Sequence, residues 1–159
     1  MTIRVESRIT IAGSVGEVWA YVCDVRRWPE WAPTVVECWV RGGGPVEPGA
    51  WVDQRAKDLG RAHARSQQVT AVEAPRFVAF AGRLAGSASR WAMELEPVQD
   101  SQTDALMWIE VDLAGMRRAA GHHFRARRRS PLTPQAVSGE VHASAFNLRC
   151  HPFTIGTAP

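Results

Sequence analysis

The sequence has little cysteine. Cys23, Cys38 and Cys150 form no CxxC pair and leave an odd number. That argues against a disulfide framework or a zinc ribbon and suits a reducing compartment. Long hydrophobic runs are missing as well. The densest, Phe77–Ala81, is far too short to span a bilayer. Arg4, Glu6 and Arg8 deny the first ten residues the character of an apolar signal segment. A cytoplasmic protein without membrane insertion is expected. Lysine is nearly absent: Lys57 stands alone among 19 basic residues, the rest being arginine, a pattern expected of GC-rich codon usage. There is no HExxH, no GxSxG, no P-loop and no GxGxxG opening a helix after a strand. Gly42-Gly43-Gly44 has neither a helix nor a lysine after it and reads as a turn.

What is present fits a single globular domain. The chain has 159 residues, 45% hydrophobic and 22% charged, enough to bury a core and too apolar for wholesale disorder. The net charge of +3 hides an asymmetry. Residues 1–114 hold 12 Arg/Lys against 15 Asp/Glu, a net of −3, and residues 115–159 hold 7 Arg against Glu140, a net of +6. The high isoelectric point is thus a property of the tail. It gives no reason to expect nucleic-acid binding by the main domain.

Periodicity supplies the elements. Ile3, Val5, Ser7, Ile9 and Ile11 alternate with Arg4, Glu6, Arg8 and Thr10, which predicts a strand with one buried and one wet face. Gly13 breaks it. Ser14-Val15-Gly16-Glu17 reads as a capping box, followed by Val15, Val18, Trp19 and Val22 as the apolar stripe of a short helix. Pro29 ends that helix near Asp24–Arg27, and Trp28-Pro-Glu-Trp31 forms a second helical turn. Six strands follow, over Thr34–Arg41, Trp51–Lys57, Ala62–Glu73, Arg76–Arg83, Ser89–Glu96 and Thr103–Leu113, joined by short turns that imply antiparallel neighbours. Met116–Arg129 is expected to begin a C-terminal helix. These elements predict an α+β domain over 1–129: a seven-stranded curved antiparallel sheet, two short helices and a C-terminal helix enclosing a cavity. From Pro131 onward periodicity is lost, so 130–159 is expected to be an irregular tail, aberrant or disordered. A shift of reading frame near residues 120–130 would account for it.

Four segments resemble the START/Bet v 1-like superfamily, and within it the bacterial polyketide cyclase/dehydrase-like proteins. They are Ser14-Val15-Gly16-Glu17-Val18-Trp19 after the opening strand, Asp24 through Trp31 with its paired tryptophans, Val69 through Phe80 around Pro75-Arg76, and Ser89-Arg90-Trp91 through Val98. The resemblance covers roughly residues 1–120. It implies a helix-grip fold with a ligand between sheet and helix.

Seven tryptophans are many for this length. Each is weighed first as core packing. The candidate cavity residues are Trp19, Trp28, Trp31, Trp51, Phe80, Trp91, Met93, Met107 and Ile109, with methionine suited to irregular apolar ligands. Arg55, Gln67 and Arg90 are candidate inward polar groups, weighed against outward, solvated positions. Glu94 with Glu96 and Glu110 with Asp112 share strand faces and read as solvated outer residues. His122 and His123 are adjacent, which points their rings apart and argues against a metal site. No cofactor, no metal and no specific catalytic residue is assigned. The expected function is binding of a small hydrophobic ligand, lipid or polyketide-like. The alternatives are an aromatase/cyclase using the same cavity and an interaction protein using the basic run Arg125–Arg129.

Overall fold

The computed structural model describes residues 1–112, apart from Leu59 and Ala85. Leu113, the helix expected over Met116–Arg129 and the tail 130–159 lie outside those residues.

The opening strand, β1 (Thr2–Ala12), leads into helix α1 (Val15–Cys23) through the expected capping box. The Ser14 hydroxyl accepts the Glu17 amide, and the Glu17 carboxylate accepts the Ser14 amide at 2.8 Å. Two helix-start amides are thereby satisfied. Val18 and Val22 turn the stripe of α1 into the core. Asp24 stops the helix, and its carboxylate accepts the amide of Arg26 to start a 3-10 turn over Val25–Arg27. Helix α2 (Trp28–Trp31) follows directly, with Pro29 in its first turn, where a missing amide hydrogen costs no intrahelical bond.

The remaining strands are β2 (Val35–Val40), β3 (Trp51–Asp58), β4 (Arg61–Glu73), β5 (Phe77–Leu84), β6 (Ser87–Gln99) and β7 (Gln102–Asp112). All neighbours are antiparallel, in the order β1-β7-β6-β5-β4-β3-β2. The pairing slips between Val35 and Glu37, between Val69 and Ala71, and between Pro97 and Gln99. Such bulges bend strands and deepen the twist, which curves the sheet around the helices.

Side-chain alternation divides the sheet into an inner and an outer face. Val52, Val69, Val78, Phe80, Met93 and Leu95 are buried inside, where they meet Val18, Val22, Val25 and Trp28 from the helical segment. Each such side chain contributes roughly 1.5–3 kcal/mol by leaving water. The inner stripe of β1 is covered only in part: Ile9 and Ile11 pack on the core, while Ile3 and Val5 stay exposed. The outer face carries paired charges. Arg4 and Arg90 bracket Glu110 at 3.2 and 2.9 Å, and Arg41 holds Asp53 at 2.6 Å. Pairs this open add at most about 1 kcal/mol each. No helix among the described residues is long and apolar enough to cross a membrane.

Candidate functional site

Helix α2 lies over the concave face of the sheet, and its two tryptophans form one wall of a pocket. Trp28 is anchored twice. Its ring is only 3% exposed, and its indole N–H donates to the carbonyl of Val22 at 2.9 Å. That carbonyl belongs to the last turn of α1, where no intrahelical amide remains to meet it. The ring also stands edge-on to Phe80 and Trp91, with centroids 5.4 and 5.3 Å away, and tilts against Trp31 at 5.9 Å. Phe80 and Trp91 are direct cross-strand partners on β5 and β6 and stack at 4.3 Å. Edge-to-face and offset contacts of this kind add about 0.5–1.5 kcal/mol each beyond burial.

The resulting pocket is partly open and holds about 110 Å³. That is comparable to the roughly 150 Å³ that holds one benzene ring in an engineered cavity. It is smaller than the ~300–1,000 Å³ of drug-sized sites. The described walls therefore seat one ring-sized portion of a molecule. Trp28 and Trp31 line one side, Val35 and Leu84 the rim, and Trp91, Met107 and Ile109 the sheet side.

Polar groups concentrate where β3 and β4 pass. Gln54 and Gln67 line the pocket and are only 8% and 7% exposed. Trp91 donates its indole hydrogen to Oε1 of Gln67 at 2.7 Å. An indole nitrogen can only donate, so this bond fixes the amide and leaves Nε2 of Gln67 turned away. That Nε2, Oε1 of Gln54 and Nε1 of Trp31 are all buried without a partner among the described residues. Gly82, opposite Gln67 on β5, makes room: a Cβ there would stand 3.1 Å from both Gln67 Cβ and the Ser66 carbonyl oxygen. At the rim, Arg65 donates to His63 at 2.7 Å, and Arg83 is tied to the carbonyl of Gly86 by two bonds of 3.2 and 2.9 Å.

The described lining contains no Asp, Glu, His, Cys, Lys or Tyr. Burial pushes the thiols of Cys23 and Cys38 up to about 12, which removes thiolate character near neutrality. Among the described residues no three His, Cys, Asp or Glu side chains converge as a metal site would require. The arrangement can enclose a flat apolar group and offer it hydrogen bonds.

The structure sorts the candidate residues. Trp28, Trp31, Gln67, Trp91, Met107 and Ile109 line the pocket. Phe80 and Met93 lie in the core, Phe80 directly under Trp91, and Trp19 packs against the core's edge. Arg55 and Trp51 belong to the outer face instead. Val52, Gln54 and Ala56 take the inner positions of β3, so the odd-numbered residues point away. Arg55 pairs with Glu37 at 3.1 Å, and Trp51 carries the Arg41 guanidinium over its ring. Arg90 likewise faces outward, onto Glu110. Gln54, absent from the sequence-based set, takes the inward position next to Arg55. Its signal was available in the shared face of Asp53 and Arg55.

Comparison with known proteins fits this architecture. No curated protein is similar to the chain in sequence. Among solved structures, a START superfamily protein from Mycobacterium smegmatis is similar with a TM-score of 0.58 and 14% identity, over 77% of this chain and 89% of that one. The Zhui aromatase/cyclase from Streptomyces sp. R1128 is similar with a TM-score of 0.60 and 14% identity, over 70% and 68%. A polyketide-cyclase-like protein from Corynebacterium glutamicum is similar with a TM-score of 0.55 and 22% identity, over 79% and 76%. At these identities the likeness establishes the helix-grip START/Bet v 1 fold. The model of one family matches residues 2–151, nearly the whole chain. The chain belongs to that family, described as polyketide cyclase / dehydrase and lipid transport.

Proposed function

We propose that this protein binds a small, largely apolar molecule with a flat ring system, lipid or polyketide-like, in the pocket between α2 and the sheet. The observation that carries the reading is the aromatic frame. Trp28, Trp31 and Trp91 present ring surfaces to one ring-sized space closed by Met107 and Ile109. Aromatic walls give contact area with little conformational freedom to lose, and methionine adapts to irregular shapes. The titratable groups of the described lining are Arg65 and Arg83. A guanidinium binds through its fork of N–H donors and is a poor proton shuttle, which favours holding over proton transfer.

Native mass spectrometry of the full chain, purified gently and compared with the denatured protein, tests this. A reproducible extra mass lost on denaturation is expected. A clean apo mass, together with no change in tryptophan fluorescence on adding bicyclic aromatics, would sink the reading. A second reading, an aromatase/cyclase acting in the same pocket, draws its support from the family description. Turnover of a polyketide-type substrate, lost on Trp91→Ala and Gln67→Ala, would favour it.

A further inference from the structure

Among the described residues, β1 and β2 form the two margins of the sheet, and each has a strand on one side only. An open strand edge carries a row of unpaired amides and carbonyls that can receive another strand. The two margins differ. β2 has six residues, its pairing slips between Val35 and Glu37, and Pro33 and the Gly42–Pro45 turn flank it. Brevity, bulges and proline are the ordinary protections of an edge. β1 has none of them. It runs for 11 residues without proline or glycine and pairs with β7 without a slip, from Thr2↔Asp112 to Ala12↔Gln102. Its inner face is apolar, yet Ile3 and Val5 remain 37% and 47% exposed.

We propose that β1 is a self-association surface: two copies of this chain join antiparallel, edge to edge along β1, about a two-fold axis through Ser7. The strand is nearly palindromic in character about that residue. On the inner face Ile3 comes opposite Ile11 of the second copy, Val5 opposite Ile9, and Ser7 opposite itself. On the outer face Thr2 meets Ala12, Arg4 meets Thr10 and Glu6 meets Arg8. Two-fold symmetry makes every off-axis contact twice. The exposed Ile3 and Val5 thereby gain apolar neighbours. Within one copy Glu6 meets Arg4 at 2.6 Å and Arg8 stands 3.8 Å from Asp104, open contacts that leave both charges exposed and able to reach across.

Neighbouring registers fail. A slip of one residue sets isoleucines opposite charged residues and turns the apolar face of the second copy to the wrong side. Centring on Glu6 opposes Glu6 to itself and Arg4 to Arg8, and centring on Arg8 opposes that arginine to itself. Like charges directly opposite are destabilising. Centring on Val5 pairs Arg4 with Glu6 but leaves residues 9–12 without partners. The Ser7 register pairs the whole strand with its charges matched. An interface of one strand edge is small, so the dimer is weak and concentration-dependent. No residue of β1 lines the pocket beside α2, so the ligand-binding reading stands or falls separately.

Sedimentation velocity of the full chain, at concentrations up to roughly 0.5 mM where so weak an interface is populated, tests the proposal. Wild type is compared with Glu6→Arg, Arg8→Glu and the variant carrying both changes. Wild type should dimerise reversibly. Each single change sets like charges opposite one another twice and should weaken the dimer about tenfold. The double variant reverses both members of each pair and should return to within about threefold of wild type. All three changes lie on the exposed outer face, so far-ultraviolet circular dichroism should not move. In a Cys150→Ser background, Ser7→Cys should form an intermolecular disulfide on mild oxidation, because directly opposed Cα atoms stand about 4.5–5.5 Å apart, within disulfide reach. Thr10→Cys, which faces Arg4 of the second copy, should not. A monomer at every concentration overturns the proposal. A dimer that both single variants leave unchanged also overturns it and puts the interface elsewhere. Failure of the double variant to recover, or of Ser7→Cys to cross-link, overturns the register through Ser7.

Discussion

Trp28 and Trp31 stand three residues apart on one short helix, yet the same substitution should have unequal effects at the two positions. At Trp28, phenylalanine removes the indole N–H that meets the Val22 carbonyl. That carbonyl is then a buried acceptor without a partner, at a cost of roughly 1–3 kcal/mol. The smaller ring also leaves a void of methyl size or more beside the Phe80–Trp91 stack, at a cost of about 1 kcal/mol. Together Trp28→Phe should destabilise by about 2–4 kcal/mol, a large fraction of the ~5–15 kcal/mol that holds a domain folded. At Trp31 the indole nitrogen is buried and has no partner among the described residues. Trp31→Phe removes an unmet donor, which offsets the lost area, so the net change should stay within about 1 kcal/mol. Urea unfolding followed by far-ultraviolet circular dichroism measures both, with unchanged slope as the check that the denatured state is the same. Equal costs at the two positions would show that ring size alone matters and that the Trp28 bond contributes nothing.

Three further outcomes follow from contacts already described. Gly82→Ala should destabilise by about 1–3 kcal/mol in the same urea assay, because the added carbon crowds the backbone oxygen of Ser66 and the side chain of Gln67; wild-type stability would mean that β4 yields there. The Arg41 guanidinium, joined by the Ser66 hydroxyl, holds the Asp53 carboxyl below its ordinary value of 3.8. Its contribution is therefore complete above that value and is lost as pH falls through the lowered one, so Asp53→Asn should flatten the acid limb of a stability–pH curve, by no more than about 1 kcal/mol for so open a pair; an acid limb of unchanged steepness counts against the pairing. Cys23 and Cys38 should resist iodoacetamide at pH 8 in the folded protein and react on unfolding, since burial raises both thiols from 9.0 to about 12; rapid labelling of Cys38 in the native state, read by peptide mass, would contradict the buried placement.

The fold was largely legible because its signals are local. The alternation of Ile3–Ile11 and the Ser14/Glu17 box each act within a few residues, and β1 and the start of α1 follow them closely, whereas α1 ends at Asp24 and Pro29 opens α2 instead of closing α1. Strand ends drifted where bulges intervene: β6 runs from Ser87 to Gln99, past the expected limit at Glu96, because the register slip at Pro97/Gln99 lets the strand continue. The pocket was less legible because facing depends on distant partners. In β3 a large aromatic, Trp51, sits on the wet side and an amide, Gln54, on the dry one, so hydrophobicity alone points the strand the wrong way. Gln67 is one of three inward polar candidates, and only its bond with Trp91, 24 positions away, sets it apart from the outward Arg55 and Arg90.

The order of strands carries a consequence for how this chain assembles in time. Strands β2 to β7 each pair with the next in sequence, but β1 pairs with β7, joining Arg4 to Glu110 across 106 positions. Closing so long a loop is entropically uphill until many contacts form at once. A chain emerging from the ribosome therefore carries β1 unpaired until β7 has been made, with Ile9 and Ile11 still bare. Of all six strand pairings, this last seam should form latest in refolding and be the one on which exposure to aggregation depends.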